Sequence, residues 1–303
     1  MQGALIKFAL RIRLYLLPDP VWANPYCLEK AEIFKDRFRE VISDPLNILI
    51  DRVPESGYVD QDGNVILHNG NRVPRTGDFA YYGGFSDLLI FNRGVHEPLE
   101  EFCFQEVLKR IDSSRPVMIE LGSYWAHYSM WFLKSFPDAR SICVEPELPA
   151  LRIGQSNFAL NGFAGEHINA GIAVESEHEA FDVDSFLDKN QLESIQILHS
   201  DIQGAEMEML AGARKSVRNH LIDYIFVSTH SDLLHESVRK FLTSAGYRIE
   251  VSSPFSSHTT SYDGLIMASS PKVNNVFDTF SPLGRLEILN SKPKDIVAYL
   301  SLN

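Results

Sequence analysis

The chain is poor in cysteine, has no excess of positive charge and contains no long apolar run. Its 303 residues include three cysteines, Cys27, Cys103 and Cys143. They are scattered, with neither metal-ligand spacing nor an even-numbered framework. That excludes a disulfide scaffold and suits a reducing, cytoplasmic setting. Cys143 falls mid-strand and reads as a small core residue. The formal net charge is −12. A polyanion needs a basic face, so no nucleic-acid partner is expected. No internal repeat or low-complexity tract appears. The balance of 45% hydrophobic and 22% charged residues suits an ordinary globular core.

A further shortage is local. In 117–129 an apolar run (Val117, Met118, Ile119) meets Glu120, and Gly122 follows. Trp125, Ser129 and Phe132 then recur at helical spacing. The pattern predicts a buried strand, a tight turn and a helix. Open α/β sheets bind ligands at such a turn. A dinucleotide fingerprint needs three glycines there, so that a pyrophosphate reaches the backbone. Only Gly122 is present, and Tyr124, Trp125 and His127 are large. A ligand with an amino acid moiety and no phosphate fits better, its ammonium facing Glu120. S-adenosylmethionine is such a ligand. The alternative is a strand-to-helix turn that binds nothing.

Other segments repeat the pattern. Residues 141–145 form a second short strand ending in Glu145, 25 residues after Glu120. An acid there is placed to take both hydroxyls of a ribose. An apolar strand over 195–200 runs into Asp201, and a strand over 224–229 runs into His230. Several strands thus each deliver a polar group to one edge of one sheet, which core packing does not explain.

On these motifs the chain resembles the FkbM-type branch of class I S-adenosylmethionine-dependent methyltransferases. The resemblance rests on Glu120-Leu-Gly-Ser, Glu145-Pro, Asn157-Phe-Ala-Leu-Asn161-Gly, and Asp201-Ile-Gln-Gly-Ala-Glu206 followed by Leu210-Ala-Gly212. It covers roughly residues 116–270, and Gln203 stands where the family usually has glutamate. It implies a doubly wound, Rossmann-like α/β sheet with an antiparallel edge hairpin, whose strands are expected over 247–251 and 263–268. The candidate cofactor-binding residues are Glu120, Gly122, Ser123, Tyr124, Ser129, Glu145, Pro146, Asp201 and Gln203. His96 and Glu97, just ahead of a helix expected over 98–111, are candidates to close the pocket.

Three regions are expected: residues 1–95 as a helical arm and small β-rich cap, 96–270 as the methyltransferase domain, and 271–303 as an extension ending in a short helix. Within 1–17, Lys7, Arg11 and Arg13 occur without an acid, and Leu5, Phe8, Ile12 and Leu16 share one helical face. The stretch is shorter than the ~20 apolar residues of a membrane span, and no cleavage site marks a signal peptide. Two readings stand: a helix packed on the body or on a partner subunit of a homo-oligomer, or a helix lying on an anionic membrane surface. A second helix is expected over 29–44. Turn signals at 61–64 and 69–71 flank short β-type runs, and 81–85 is an aromatic–glycine loop.

Methyl transfer from a sulfonium is an in-line displacement that depends on alignment. A hydroxyl acceptor also needs its proton removed, by a base or through a metal. His230 is the preferred base or metal ligand, with Asp201 beside it and His127 next in line. His199, on the same side of its strand as Asp201, is expected as a core or supporting residue, while His258 and Tyr262 lie in a loop expected to touch the acceptor. By position, Asp201, His230 and Asp232 are the candidate ligands of a Mg²⁺ ion. The expected activity is O-methylation of a sugar or polar secondary metabolite. The rivals are N- or protein methylation, or a scaffold that kept the fold without catalysis.

Overall fold

In the computed structural model, the described residues are 38–81, 86–173, 180–257, 260–261 and 263–302. The 1–17 arm, the start of the 29–44 helix, most of the aromatic–glycine loop, His258 and Tyr262 lie outside them. The chain divides into two compact units, Met1–Arg39 and Glu40–Asn303.

The second unit is built on a seven-stranded sheet. A small antiparallel hairpin comes first, β1 (Asn64–Ile66) with β2 (Arg72–Pro74), then helices α1 (Ser86–Phe91) and α2 (Pro98–Leu108). The sheet begins with β3 (Val117–Leu121), followed by α3 (His127–Ser135), β4 (Arg140–Val144), α4 (Leu148–Asn161) and β5 (Glu166–Ile168). A two-residue pair, β6 (Gly171–Ile172) and β7 (Ala180–Phe181), precedes α5 (Val183–Lys189) and β8 (Ile195–Ser200). Then come α6 (Glu206–Gly212), α7 (Arg214–Arg218), β9 (Ile222–Thr229), α8 (Asp232–Ser244), β10 (Arg248–Ser253) and β11 (Gly264–Ser269). Helices α9 (Arg285–Asn290) and α10 (Pro293–Leu302) close the chain.

The strand order is β10-β11-β9-β8-β3-β4-β5. The five strands from β9 to β5 are parallel, and at one side β11 runs antiparallel to both of its neighbours, β9 and β10. This is the doubly wound sheet with an antiparallel edge hairpin that the sequence predicts. Parallel strands covered on both faces read as continuous apolar runs; β3 is buried at every position. Alternation splits its side chains. Ile119 and Leu121 join the core under α5, α6, α7 and α8, while Met118 faces α2 and α3 with Ile197, Phe226 and Phe132. Glu120 shares the Met118 face by the same alternation.

The predicted helices and strands appear with shifted ends. The helix expected over 98–111 stops at Leu108. The helical run through Ala205, Met209 and Ala213 is broken at Ala213, the cap shared by α6 and α7. α9 and the edge strand β5 carry little periodic signal and were not expected.

Gly122 ties three strand ends together. Its N–H and that of Ser123 both donate to the Val144 carbonyl at the end of β4, at 2.9 and 3.1 Å. The Asp201 N–H, past the end of β8, donates to the Leu121 carbonyl at 2.9 Å. Gly122 has φ +71°, and a Cβ there would stand 1.7 Å from the Asp201 carbonyl oxygen. No side chain fits without parting β3 from β8. Gly122→Ala should therefore cost more than ~4 kcal/mol, the range of the most severe single substitutions, and chemical denaturation should show it. A loss below about 1 kcal/mol would mean that the turn relaxes freely.

Candidate active site at the carboxyl edge of the sheet

The turn after β3 is held in a backbone conformation that large residues rarely adopt. Tyr124 and Ala126 have φ of +38° and +59°, a costly region for non-glycine residues. Their neighbours hold them there. Tyr124 N–H donates to Glu145 Oε2 at 3.1 Å, Ala126 N–H to the Ser123 carbonyl at 2.6 Å, and Asn157 Nδ2 to the Trp125 carbonyl at 3.0 Å. Glu145 Oε1 accepts the Glu147 N–H at 3.0 Å, and Asn169 Nδ2 donates to the Glu145 and Pro146 carbonyls. Glu145 thus caps two loops at once, and burial raises its pKa.

Glu120 points into the body of the sheet. It is 3% exposed, its Oε2 accepts the Ser129 N–H at 3.0 Å, and burial raises its pKa. The Ser129 hydroxyl faces β4, 2.7 Å from Ser141 Oγ. Ser123 Oγ is buried with no hydrogen-bond partner among the described residues.

One turn of chain past β8 and β9, a charged group assembles. His230 Nδ1 lies 2.8 Å from Glu206 Oε1, and its Nε2 lies 3.2 Å from Asp201 Oδ1 and 3.4 Å from Asp263 Oδ1. Gln203 Nε2 donates to the same Asp201 oxygen at 3.1 Å. Burial works against a charged ring, but the three carboxylates outweigh it and raise the His230 pKa to about 10. Asp201 remains 34% exposed at its side chain. The group forms because β9 ends where the antiparallel β11 begins: Thr229 pairs with Gly264, which sets Asp263 beside His230.

Asp232, the third expected metal ligand, is not in this group. It opens α8 and accepts the Ser256 N–H at 3.0 Å, bonds that lower its pKa. Asp263 stands in the position expected of it.

His96, Glu97 and His127 belong to a different, buried group. His96 Nδ1 lies 2.6 Å from Glu101 Oε1 and its Nε2 3.3 Å from Glu97 Oε2. Glu97 also accepts from Ser261 Oγ at 3.3 Å. His127 is 1% exposed and stacks on Trp125 at 4.8 Å and 12°. Burial there pushes its pKa down to about 4. His199 pairs with Glu100 at 2.6 Å, and Ser228 Oγ donates to the other oxygen of Glu100 at 3.2 Å.

Sequence reasoning missed Glu100, Glu101, His68, Glu206 and Asp263 as site residues. For Glu100 and Glu101 a signal existed: two adjacent acids inside the apolar run Leu99, Phe102, Cys103, Phe104. Asp263 had none, since only strand pairing brings it to His230.

Residues 136–249 match the model of the methyltransferase FkbM domain. The match takes in less than half of the chain and makes this stretch similar to that domain. The match contains Glu145, Asp201 and His230 and begins after the Gly122 turn. It bears out the resemblance read from Glu145-Pro and Asp201–Glu206, and with it the enzyme class, an S-adenosylmethionine-dependent methyltransferase. None of the curated proteins matches the chain. Among solved structures, the chain is similar to M. capricolum TrmK in complex with S-adenosyl-homocysteine, at 15% identity and TM-score 0.40, over 65% of this chain and 80% of that one. It is also similar to a precorrin-6y C5,15-methyltransferase from Geobacter metallireducens GS-15, at 16% identity and TM-score 0.40, over 56% and 87%. A third similar structure is the mitomycin 7-O-methyltransferase MmcR, at 14% identity and TM-score 0.36, over 61% and 57%. Among the described residues no helix is long and apolar enough to cross a membrane.

The bonds of Glu145 generate a prediction. Glu145→Ala strips the partly buried Tyr124 and Glu147 N–H groups of their acceptor, at about 0.5–1.5 kcal/mol for each hydrogen bond lost. It should lower the melting temperature of the ligand-free protein as well as weaken cofactor binding. Glu145→Gln keeps one acceptor oxygen and should restore much of the stability but not the affinity. Calorimetry and thermal melts on both variants check this, and wild-type affinity in Glu145→Gln would remove the residue from the binding site.

Proposed function

We propose that this chain moves the methyl group of S-adenosylmethionine onto a hydroxyl of a sugar or another polar metabolite, with the Gly122 turn and Glu145 holding the cofactor and the His230 group handling the acceptor proton. The residues present fit such a cofactor. Each carboxylate oxygen accepts about two hydrogen bonds; the backbone uses one on each oxygen of Glu145, which leaves capacity for two ribose hydroxyls. Ser123 Oγ is a buried polar atom without a partner among the described residues. Asp201 and Gln203 border the same turn, through Asp201 N–H on the Leu121 carbonyl. When bound, the cofactor supplies an electrophilic methyl on a sulfonium.

The observation that carries the acceptor side is the 3.2 Å contact of His230 Nε2 with the half-exposed Asp201 at the ends of neighbouring parallel strands. As the acceptor oxygen bonds to the methyl carbon, its proton must leave. His230 is placed to receive it and Asp201 to stabilise the imidazolium that results. At neutral pH in the ligand-free protein His230 already holds that proton, because of its carboxylates. A cation beside His230 lowers its pKa, so occupation of the cofactor site moves the ring towards its basic form. A cytoplasmic location, a homo-oligomeric state and the partition at residues 95 and 270 belong to the same reading, in which residues 1–17 pack on protein, with peripheral membrane contact as the alternative.

The pH profile tests this. A base works deprotonated, so kcat/KM should rise with pH, about tenfold per unit, up to the His230 pKa of about 10 in the free enzyme. The limb in kcat should level off at lower pH, because the bound cofactor depresses the same group. His230→Ala should cut single-turnover methyl transfer by about 10²–10⁴-fold, abolish this limb and spare cofactor affinity. Retention of half the rate would move the base elsewhere. The rival account places Mg²⁺ among Asp201, His230 and Asp263; a rate restored by Mg²⁺ alone after EDTA treatment would favour it.

A further inference from the structure

Behind the strand edge, three elements each send one side chain to a common buried point. His68 comes from the turn of the β1–β2 hairpin, Glu101 from α2 and His127 from the first turn of α3. The side chains of His68 and Glu101 are 0% exposed and that of His127 1%. His68 Nε2 lies 2.8 Å from Glu101 Oε2, and His127 Nε2 lies 3.7 Å from the same oxygen. All three atoms fall within 4.8 Å of one another. None of the three has a hydrogen-bond partner in satisfactory geometry among the described residues. Buried polar atoms are very rarely left so, and each such group calls for a ligand, an ion or a strain that explains it.

We propose that His68 Nε2, His127 Nε2 and Glu101 Oε2 bind a divalent first-row transition metal ion such as Zn²⁺, which fastens the hairpin to α2 and α3. Donor chemistry, spacing and surroundings agree. Two imidazoles and a carboxylate suit ions of this class. Such ions sit ~2.0–2.2 Å from nitrogen and oxygen ligands, which sets neighbouring ligand atoms roughly 2.9–3.4 Å apart; the observed 2.8 and 3.7 Å span that interval. Ligands of metal sites are oriented by outer hydrogen bonds. Here His68 Nδ1 lies 3.3 Å from the Asp51 carbonyl, an acceptor only, which assigns the hydrogen to Nδ1 and leaves the Nε2 lone pair facing Glu101. Glu101 Oε1 is held by the backbone N–H groups of His96 and Glu97 at 2.7 and 3.0 Å, with His96 Nδ1 at 2.6 Å.

A cation also resolves a conflict. Two lone pairs facing each other at 2.8 Å in a dry interior repel. A second proton on His68 would answer that contact but leave His127 Nε2 without a partner. A metal ion serves all three atoms. His68 also lines a cavity of about 510 Å³ with Asp51, Gln105 and Trp131. The site is distinct from the Asp201, His230 and Asp263 group, and it does not depend on the reaction assigned to that group.

The test begins with the full chain, stripped by a strong chelator and titrated with Co²⁺ and Zn²⁺. Wild type should bind one Co²⁺ per chain with a visible ligand-field spectrum, Zn²⁺ should displace it, and Zn²⁺ should raise the melting temperature. Glu101→Gln and His127→Gln should weaken Co²⁺ binding at least ~10-fold, while His230→Ala should leave the spectrum unchanged. Wild type that shows no such spectrum and no Zn²⁺-dependent melting shift overturns the proposal. So does a spectrum lost in His230→Ala and kept in Glu101→Gln, which would place the ion at the sheet edge. Should the Glu101 and His127 variants fail to fold, the comparison of wild type with His230→Ala still decides between these outcomes.

Discussion

The close approach of Gly122 to the Asp201 carbonyl is the contact on which the rest of the sheet edge depends. It sets β3 against β8 with no room for a side chain, so the two strands end level. The chain then has to turn away at once, and it does so through Tyr124 and Ala126 at positive φ. That conformation is costly and is offset by Glu145, whose two oxygens accept the N–H groups of Tyr124 and Glu147. The turn proposed to hold the cofactor is thus braced before any ligand arrives, which reduces the ordering cost of binding.

Beneath the edge, the structure carries an unusual load of buried charge. Glu100, Glu101, Glu120 and Glu206 are all buried. A carboxylate taken out of water costs several kcal/mol unless hydrogen bonds or opposite charge compensate it. Each of the four has a partner: His199 and Ser228 for Glu100, backbone N–H groups and His96 for Glu101, Ser129 N–H for Glu120, His230 for Glu206. Removing one partner therefore leaves an uncompensated charge rather than a missing contact. Substitutions here act on stability and on the site together.

Four of the parallel strands and the residues at their ends were legible in the sequence because parallel strands buried on both faces leave a strong mark. Short apolar runs that stop at Glu120, Glu145, Asp201 and His230 need no tertiary information to find. The pairing of His230 with Asp201 followed from the expected strand order. Asp263 and Glu206 did not, because their positions follow from the antiparallel insertion of β11 beside β9 and from the loop before α6. Asp232 was the natural choice by proximity in sequence, but the chain carries it past the edge into the first turn of α8, where it meets Ser256. Glu100 and Glu101 lie in the first turn of α2, where acids favour the dipole and are commonly solvated. Packing of α2 against the sheet turned them inward instead.

Two histidines expected to serve the same chemistry end in opposite electrostatic states. His127 sits against Trp125 in a dry interior, where desolvation dominates and pushes its pKa down to about 4. His230 meets three carboxylates near solvent, and the charges dominate, taking its pKa to about 10. The neutral imidazole offers one nitrogen lone pair to the proposed ion and lies away from the sheet edge. The charged one borders solvent, beside a half-exposed aspartate, where an acceptor can approach. The division of roles between the buried group and the edge group thus follows from which of two opposing effects, desolvation or ion pairing, prevails at each ring.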